Sequence, residues 1–415
     1  MKYDVIIIGG GLSGLTAGLT LVAAGKKTCI VSAGQNSLHF GSGSFDLLGY
    51  DQNGNVVSSP LDAMDALDAT HPYKKIGKDQ FESLAAKAKT LLEKAGIQVR
   101  GEASSNHYRL TPIGTLKPAW LTMSEYATTD APGKWPWKKA DIVNIEGFLD
   151  FPTQFLAANL AKQGVVTAIK EVSTAALMRA RKSPTEMRAT NIAKVLASPG
   201  QLEEFAQRVN SLPSNADTLL IPAVLGFNED KSIDRFKAML NRPVEFVATM
   251  PPCLSGVRAT IFLKRAFCNA GGTFLTGDTV HEGFFEGARL TAVKTTQLPD
   301  ELLEAQNFIL ATGSFFSHGL KSNYQRVFEP VFGLDVDADE SREKWTRKNL
   351  FETQPYMGYG VKTNAAFQAS IDGNNIENLF ATGSVLSGHH SVKLADAAGV
   401  SMLTALKVTE NMIGR

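Results

Sequence analysis

The feature that most constrains the fold is a glycine-rich turn that directly follows an apolar strand near the start of the chain. Residues 5–8 are apolar, and Gly9, Gly11 and Gly14 follow in the spacing G-x-G-x-x-G, ahead of leucines at helical spacing and a second apolar strand at 28–31. In such a β-α-β unit, Gly9 permits the tight turn, Gly11 lets a ligand approach the backbone, and Gly14 lets the helix pack on the strand. Because the helix start presents unpaired N–H groups and a partial positive charge, the turn is predicted to hold a phosphate.

The second strand of this unit lacks the acidic residue that usually holds the ribose of an adenine dinucleotide. That acid is expected about 20 residues after the glycines. Here Ser32 follows the strand, and there is no Asp or Glu between Asp4 and Asp46. The sequence therefore predicts a phosphate site without the usual partner for an adenosine ribose. The structural alternative is a strand-to-helix turn that binds no ligand.

Net charge and cysteine content exclude several classes of function. The 415 residues carry a net charge of +1, which gives no indication of binding to nucleic acid. The cysteines, Cys29, Cys253 and Cys268, lack the spacing of an iron–sulfur or zinc site, so no metal is predicted, and their low number suits a reducing cytoplasm. Residues 5–25 are uncharged, but their glycines interrupt a spanning helix, so any membrane association is predicted to be peripheral or through a partner.

Two later turns carry a resemblance to a flavoprotein family. The segments "ILATG" (309–313) and "NLFATGSVLSG" (378–388) resemble the late turns of flavoproteins such as fumarate reductase and glycerol-3-phosphate dehydrogenases. Five further segments are similar to the B subunits of anaerobic glycerol-3-phosphate dehydrogenases: "SLHFGSGSFDLLG" (37–49), "LTPIGTLKPAWL" (110–121), "GFLDFPTQFLA" (147–157), "ATGSFFSHGL" (311–320) and "EPVFGLDV" (329–336). The resemblance therefore runs nearly from end to end.

This resemblance implies a flavoprotein subunit of a respiratory complex that oxidises sn-glycerol 3-phosphate to dihydroxyacetone phosphate under anaerobic conditions. The expected partners are the other two subunits of the complex: the A subunit, which is a catalytic flavoprotein, and the membrane-anchored iron–sulfur C subunit, which passes electrons toward quinone. The chain is then expected at the cytoplasmic face of the inner membrane, held there through its partners.

The resemblance also implies FMN as the cofactor. FMN has a phosphate but no adenosine, which matches a glycine turn without a ribose-binding acid. Gly383 is followed by Ser384, whereas members that use FAD tend to have Gly-Asp at this place. A degenerate flavin site that binds nothing is the alternative. Two other functions stay open: an electron-relay or docking subunit that oxidises no substrate itself, and a free-standing flavin oxidoreductase.

The alternation of strands and helices, taken with the resemblance, predicts an α/β fold. A Rossmann-like, three-layer flavin-binding domain is expected to be discontinuous, formed by residues 1–60, 251–313 and 371–415. Residues 61–250 are expected to form an inserted α/β lobe, with strands at 142–145, 165–169, 218–222 and 244–249. Residues 314–370 are expected to form a second excursion packed on the flavin domain, and the last helix is predicted over 393–412.

The residues predicted to bind the flavin belong to the glycine turn, the end of the second strand, the Gly/Ser loop and the two late turns. They are Gly9, Gly11, Gly14, Ser32, Ser42, Gly43, Ser44, Thr312, Gly313, Gly383 and Ser384.

No catalytic residue is assigned from the sequence, but four are candidates. His39 precedes the Gly/Ser loop and would accept a proton, although a lone histidine is more often structural. His389 and His390 follow the last turn and would approach the flavin pyrimidine, with two exposed loop histidines as the alternative. Arg258, early in a predicted helix, would bind an anion or pair with a neighbouring loop. Because no cluster of Arg and Lys adjoins a flavin motif, the chain alone is expected not to reduce its flavin with glycerol 3-phosphate.

Overall fold

The computed structural model describes residues 1–181, 187–227 and 231–414. Its α-helices are α1 (Leu12–Ala23), α2 (Pro60–Ala63), α3 (Pro72–Ile76), α4 (Lys78–Lys94), α5 (Thr153–Lys162), α6 (Ala175–Ala180), α7 (Ala189–Leu196), α8 (Gln201–Asn210), α9 (Lys231–Met239), α10 (Leu254–Asn269), α11 (Ser391–Leu394) and α12 (Ala397–Ile413). Its β-strands are β1 (Lys2–Ile8), β2 (Thr28–Ser32), β3 (Ser44–Phe45), β4 (Val99–Arg100), β5 (His107–Leu110), β6 (Leu116–Ala119), β7 (Leu121–Met123), β8 (Thr128–Thr129), β9 (Lys139–Ile145), β10 (Val166–Val172), β11 (Thr218–Pro222), β12 (Val244–Val247), β13 (Thr273–Thr276), β14 (Val280–Glu286), β15 (Arg289–Thr295), β16 (Leu302–Leu310), β17 (Lys321–Ser322), β18 (Val327–Phe328), β19 (Val336–Asp337), β20 (Gly360–Val361), β21 (Gln368–Ile371) and β22 (Asn374–Ala381).

The largest sheet is built from both ends of the chain. Its parallel part has the order β13-β2-β1-β16, and β22 pairs with the carboxyl-terminal part of β16. The antiparallel strands β15 and β14 continue from the amino-terminal part of β16. Ile6 and Ile7 in β1 are fully buried, as expected for a parallel strand covered on both faces. Helix α1 packs against α12 and α10. The predicted Rossmann-like α/β fold is confirmed.

A second parallel sheet has the order β10-β9-β11-β12. Its strands match the apolar runs that predict strands within 141–250, although β10 continues three residues further, to Val172. The division of the chain into a flavin domain and two excursions stays a prediction.

Residues 97–129 form short strands that the sequence pattern does not predict. Together with β3, they make two three-stranded sheets, β3-β7-β4 and β6-β5-β8. Strands of two to four residues are too short to display an alternating pattern, so periodicity cannot reveal them. Because β3 belongs to one of these sheets, the region packs directly on the Gly/Ser loop.

The last helix, predicted as continuous over 393–412, is interrupted. α11 ends at Leu394, Ala395 adopts a φ of 50°, and α12 starts after Asp396. The carbonyls of Leu394 and Ala395 both accept a hydrogen bond from the amide of Gly49, and the Asp396 side chain is held by two histidines. These tertiary contacts override the helical pattern of the sequence. Within the described ranges, no helix is long and apolar enough to cross a membrane.

Candidate functional site

Four of the predicted turns meet at one edge of the large sheet. In the parallel register Ile8 lies beside both Val31 and Leu310, and Leu310 lies beside Ala381. The carboxyl ends of β2, β1, β16 and β22 are therefore level, and the turns that follow them lie side by side. Ligands of open α/β sheets bind outside this edge.

Two of the predicted glycines keep backbones close together. Gly9 has a φ of 120°, and a Cβ added there would overlap the carbonyl of Ala311, which starts the turn after β16. A Cβ added to Gly14 would overlap the carbonyl of Gly9. At the neighbouring turn, a Cβ on Gly383 would lie 2.7 Å from the Cβ of Ser13. These glycines let the turns pack against the start of α1.

Gly11 is different, because its missing side chain leaves space. Its φ is −79°, and a Cβ added there would have the Cβ of Asn36, 3.8 Å away, as its nearest neighbour. Gly11 is the N-cap residue of α1, and no side chain of this residue caps the helix N–H groups. The first turn of α1 also has no acidic residue. In the adjacent turn, Oγ1 of Thr312 is buried and has no hydrogen-bond partner in the described residues. An open backbone cradle at a helix start and an unpaired hydroxyl fit the phosphate of a flavin.

The end of β2 carries a serine rather than an acid, and the acid beside it is held by the backbone at one oxygen. Oγ of Ser32 donates to the Gly34 carbonyl, and the Asn36 amide donates to the Gly10 carbonyl at 2.7 Å. Asp278 lies beside Ser32, but its Oδ1 accepts hydrogen bonds from two backbone amides of the turns around it. No motif in the sequence identifies Asn36, because its tether to the glycine turn comes from a separate loop.

The Gly/Ser loop extends from the start of α10 to the start of α12. The Cys253 thiol at the start of α10 donates to the Gly41 carbonyl, and a Cβ on Gly43 would lie 2.9 Å from the Tyr126 ring. Ser42 and Ser44, on either side of Gly43, are half-buried. At the far end, the Gly399 amide in the first turn of α12 donates to the Asp46 carbonyl. Segment 42–46 therefore connects two helix starts.

The two late turns, at Gly313 and Gly383, are the remaining predicted segments of the flavin site. Gly313 has a φ of 82°, and the Gly383 amide donates to Oγ1 of Thr404 in α12 at 2.9 Å. Oγ of Ser13 donates to Oγ1 of Thr382, which ties the first turn to the last. Ser384 is half-buried beside them. The fold thus brings together the predicted residues of the glycine turn, the end of β2 and both late turns.

His389 belongs to a buried cluster that the sequence did not predict. Its Nδ1 lies 3.2 Å from one oxygen of Asp396, and Nε2 of His71 lies 3.0 Å from the other. Asp396 is completely buried. Although burial opposes its ionisation, the two imidazoles hold the pKa of the Asp396 carboxyl well below its usual range.

The hydrogen bonds assign the tautomers of this cluster. The Tyr73 amide donates to Nδ1 of His71, so Nε2 of His71 carries the proton that bonds to Asp396. When Nδ1 of neutral His389 donates to Asp396, its Nε2 carries the lone pair that a general base needs.

The other three catalytic candidates have different surroundings. His390 accepts from the Lys393 amide through Nδ1, while its Nε2 is buried without a partner in the described residues, and burial lowers its pKa. The half-buried His39 lies in a short 3-10 turn, Ser37–Phe40, with its ring against Phe40. Arg258 is buried and forms an ion pair with Glu125 at 2.6 Å, so it takes the pairing role that the sequence leaves open for it.

A second charged cluster lies at the end of segment 42–46. Lys117 pairs with Asp46 at 2.6 Å, and Arg109 lies opposite Lys117 across β5 and β6. Residues far apart in sequence thus place an arginine and a lysine near Asp46, two residues from Ser44, whereas the expectation that no Arg and Lys cluster adjoins a flavin motif stays a prediction. In the described part of the chain, no group of three His, Cys, Asp or Glu side chains is arranged to hold a metal ion.

Comparisons with known proteins agree with this geometry. The family described as "FAD binding domain" matches residues 4–400. The chain is 40% identical over 417 residues to the B subunit of the anaerobic glycerol-3-phosphate dehydrogenase of Yersinia enterocolitica, covering 100% of this chain and 98% of that protein. It is 38% identical over 416 residues to the protein of the same name from Pectobacterium atrosepticum, covering 100% and 99%.

Solved structures give weaker similarity. A 3-ketosteroid Δ1-dehydrogenase from Sterolibacterium denitrificans aligns with a TM-score of 0.45 at 11% identity, over 100% of this chain and 99% of that chain. E. coli quinol fumarate reductase aligns with a TM-score of 0.45 at 9% identity, over 100% of this chain and 70% of that chain.

The family match supports a flavin cofactor, and its description names FAD where the sequence pattern favours FMN. The full-length identity to two named relatives is far above the level that shows a fold alone. The chain belongs to the family of B subunits of anaerobic glycerol-3-phosphate dehydrogenases, within the flavoproteins that carry this FAD binding domain.

Proposed function

We propose that this chain is the flavin-carrying B subunit of a quinone-linked complex that oxidises sn-glycerol 3-phosphate to dihydroxyacetone phosphate under anaerobic conditions. The names of the full-length relatives support the substrate. The observation that carries the proposal is the open cradle at Gly11, which lies in the turn tied to Thr382 of the last turn through Ser13. This arrangement suits a cofactor phosphate at the start of α1.

The proposed flavin ligands are those predicted from the sequence, in two groups. Gly11 and Thr312 are assigned to the phosphate, with Gly9, Gly14 and Gly313 shaping the turns around them. The others face the rest of the cofactor: Ser32, Ser42, Gly43, Ser44, Gly383 and Ser384.

The proposed flavin is FMN. Ser32 ends β2 and bonds locally, and Asp278, the acid beside it, is engaged by two backbone amides. Ser32 has no carboxylate, and the engagement of Asp278 at Oδ1 disfavours the contact that an adenosine ribose usually makes with an acid. The description of the matched family favours FAD instead, so identification of the bound flavin decides between the two.

His389 is the proposed general base. When bound, the flavin supplies the acceptor for the two electrons that leave the substrate C–H bond. His389 would take the hydroxyl proton at Nε2, and Asp396 would position the imidazole and stabilise its protonated form. The start of α12 follows Asp396 directly, and its partial positive charge would stabilise negative charge nearby.

The proposed partners are the flavoprotein A subunit of the same complex together with its membrane-anchored iron–sulfur C subunit. The excursion after β16 exposes several large apolar side chains, which suits a protein interface. They are Phe316, Tyr324, Leu350 and Phe351, exposed by 72%, 87%, 80% and 95%. Through these partners the chain would be held at the cytoplasmic face of the inner membrane.

The test of the cofactor is to denature purified full-length protein and identify the released flavin by chromatography and mass. About one FMN per chain is expected. Stoichiometric FAD would overturn the FMN assignment while leaving the flavoprotein role intact, and absence of any flavin after expression in flavin-replete cells would support the degenerate site.

The partner assignment is tested by co-expression with the A and C subunits. The chain is expected to sediment with membranes only when both are present. Phe351→Ser should weaken this co-sedimentation, whereas Phe155→Ser, the same substitution at a 66% exposed position on α5, should not. Tight membrane binding by the chain alone, resistant to salt and alkaline washing, would contradict the proposal.

A further inference from the structure

We propose that Arg109, Lys117 and Asp46, called here the Arg109 pocket, bind a small phosphorylated polyol, with the phosphate on Arg109 and a hydroxyl on Asp46. This inference rests on the proposed function for the identity of the polyol phosphate, but not for the existence of an anion site. It assigns substrate binding to this chain itself.

Arg109 carries a buried charge that is not fully paired. Only 6% of the residue is exposed, and its Nε and Nη1 are buried without hydrogen-bond partners among the described residues. Arg258, 8% exposed, also has a buried Nε without a hydrogen-bond partner within those residues, but its charge is matched by a direct ion pair with Glu125 at 2.6 Å. A buried cation with free donors is unfavourable unless an anion completes it.

The surroundings of Arg109 have an excess of positive charge. Asp46 is the carboxylate whose charge acts on Arg109, and Lys117 already bonds to its Oδ2. The other acidic groups that act on Arg109 are Tyr126, Cys253 and Tyr50, and burial raises the pKa of each, so they are neutral at pH 7. Among these described groups, Arg109 and Lys117 carry two positive charges against the one negative charge of Asp46, which favours an anionic ligand.

The free groups of the pocket indicate the kind of anion. Oδ1 of Asp46 is buried and has no partner in the described structure, so the pocket contains a free acceptor beside free donors. An inorganic anion satisfies only the donors. A molecule with an anionic phosphate and a hydroxyl satisfies both, because the phosphate accepts from Arg109 and the hydroxyl donates to Asp46.

The pocket also lies in a suitable position. Asp46 ends segment 42–46, and its carbonyl accepts from the Gly399 amide in the first turn of α12. The Tyr73 hydroxyl donates to the Leu47 carbonyl, and the Tyr73 amide donates to Nδ1 of His71, the histidine that bonds to Asp396. The pocket therefore adjoins the predicted flavin segment on one side and the Asp396–His389 pair on the other.

The test measures binding to the full-length chain by calorimetry, at constant ionic strength, with sn-glycerol 3-phosphate, inorganic phosphate and glycerol as separate probes. The wild type is expected to bind glycerol 3-phosphate most tightly, phosphate more weakly and glycerol not measurably. Arg109→Gln should weaken binding of both phosphorylated probes at least ~30-fold, because it removes the cation that forms the charge-assisted bonds. Arg289→Gln, an exposed arginine paired with Glu377 on β15, is the matched control and should change neither.

Asp46→Asn separates the polyol from a bare anion. It should abolish the preference for glycerol 3-phosphate over inorganic phosphate while leaving phosphate binding equal or tighter, because it removes a negative charge. The proposal would be overturned if the wild type bound neither glycerol 3-phosphate nor inorganic phosphate, or if Arg109→Gln bound both as tightly as the wild type does. If Arg109→Gln does not fold, an unchanged preference in Asp46→Asn overturns it equally. Flavin absorbance is recorded on the same samples. Absence of flavin would count against the proposed function, independently of whether the anions bind.

Discussion

The glycine edge of the large sheet and the Arg109 pocket adjoin the same segment, 42–46, but they are built in different ways. At the edge, turns come together because glycines let backbone atoms approach, as at Gly9 and Gly14. In the pocket, charged side chains from β5, β6 and the Gly/Ser loop converge with part of their hydrogen-bonding capacity unused. Backbone packing therefore shapes the edge and leaves ligand space only at Gly11, whereas the proposed ligand of the pocket would be recognised by unpaired charged side chains.

The largest expected effect separates a paired buried charge from an unpaired one. Glu125→Gln should lower the free energy of unfolding by about 3–5 kcal/mol, because it leaves Arg258 buried without its counter-charge. Arg109→Met should leave it unchanged or raise it, since its Nε and Nη1 have no partners to lose in the described structure. Denaturant unfolding measures both.

The control for this pair of variants is Glu410→Gln, which breaks an exposed ion pair with Lys87 and should change stability by less than about 1 kcal/mol. Equal destabilisation by Glu125→Gln and Arg109→Met would show that both arginines are structural.

The second effect is a pH dependence of the free energy of unfolding that comes from His107, on the same strand as Arg109. Burial, with a smaller contribution from Arg100, lowers the pKa of His107 to about 4. Its unfolded pKa is about 6.5, so the unfolded chain binds the proton first, and stability present above pH 6.5 is lost as the pH falls toward 4. The loss amounts to about 3 kcal/mol.

His107→Gln should remove this part of the pH dependence. Unfolding free energies at pH 7.5 and 4.5 are compared for wild type and variant. Asp396, whose pKa is depressed, contributes only at lower pH, because its stabilisation is lost below the usual carboxyl pKa. The same loss in both proteins over this interval would show that His107 is accessible to protons in the folded state.

The smallest effect tests the two glycine roles at the edge. Gly14→Ala should destabilise the chain by about 1–3 kcal/mol, because its methyl group would overlap the Gly9 carbonyl and neither backbone can move freely. Gly11→Ala should change stability by less than about 0.5 kcal/mol, because the nearest heavy atom would be 3.8 Å away. Comparable destabilisation by both would mean that Gly11 is also a packing glycine.

The same difference between the edge and the pocket explains which of the two can be predicted from the sequence. The edge is predictable because Gly9, Gly11 and Gly14 are close in sequence, and their spacing has a direct geometric meaning. The pocket is not, because Asp46 and Lys117 are 71 residues apart. His71 and Asp396 are 325 residues apart, and their contact also interrupts the predicted last helix. Single residues without a local pattern acquire a role only when the chain has folded.

The central claim, that the open cradle at Gly11 holds a flavin phosphate, is tested most directly by flavin content in a size series. Gly11→Ala and Gly11→Leu are purified beside the wild type, and flavin per chain is measured from absorbance together with the denaturation midpoint. We expect about one flavin per wild-type chain and a colourless Gly11→Leu protein, because the added side chain enters ligand space rather than protein. The midpoint of this variant should match that of flavin-free wild type, since bound flavin stabilises only the chain that holds it. A Gly11→Leu protein that folds normally and retains a full complement of flavin would contradict the claim.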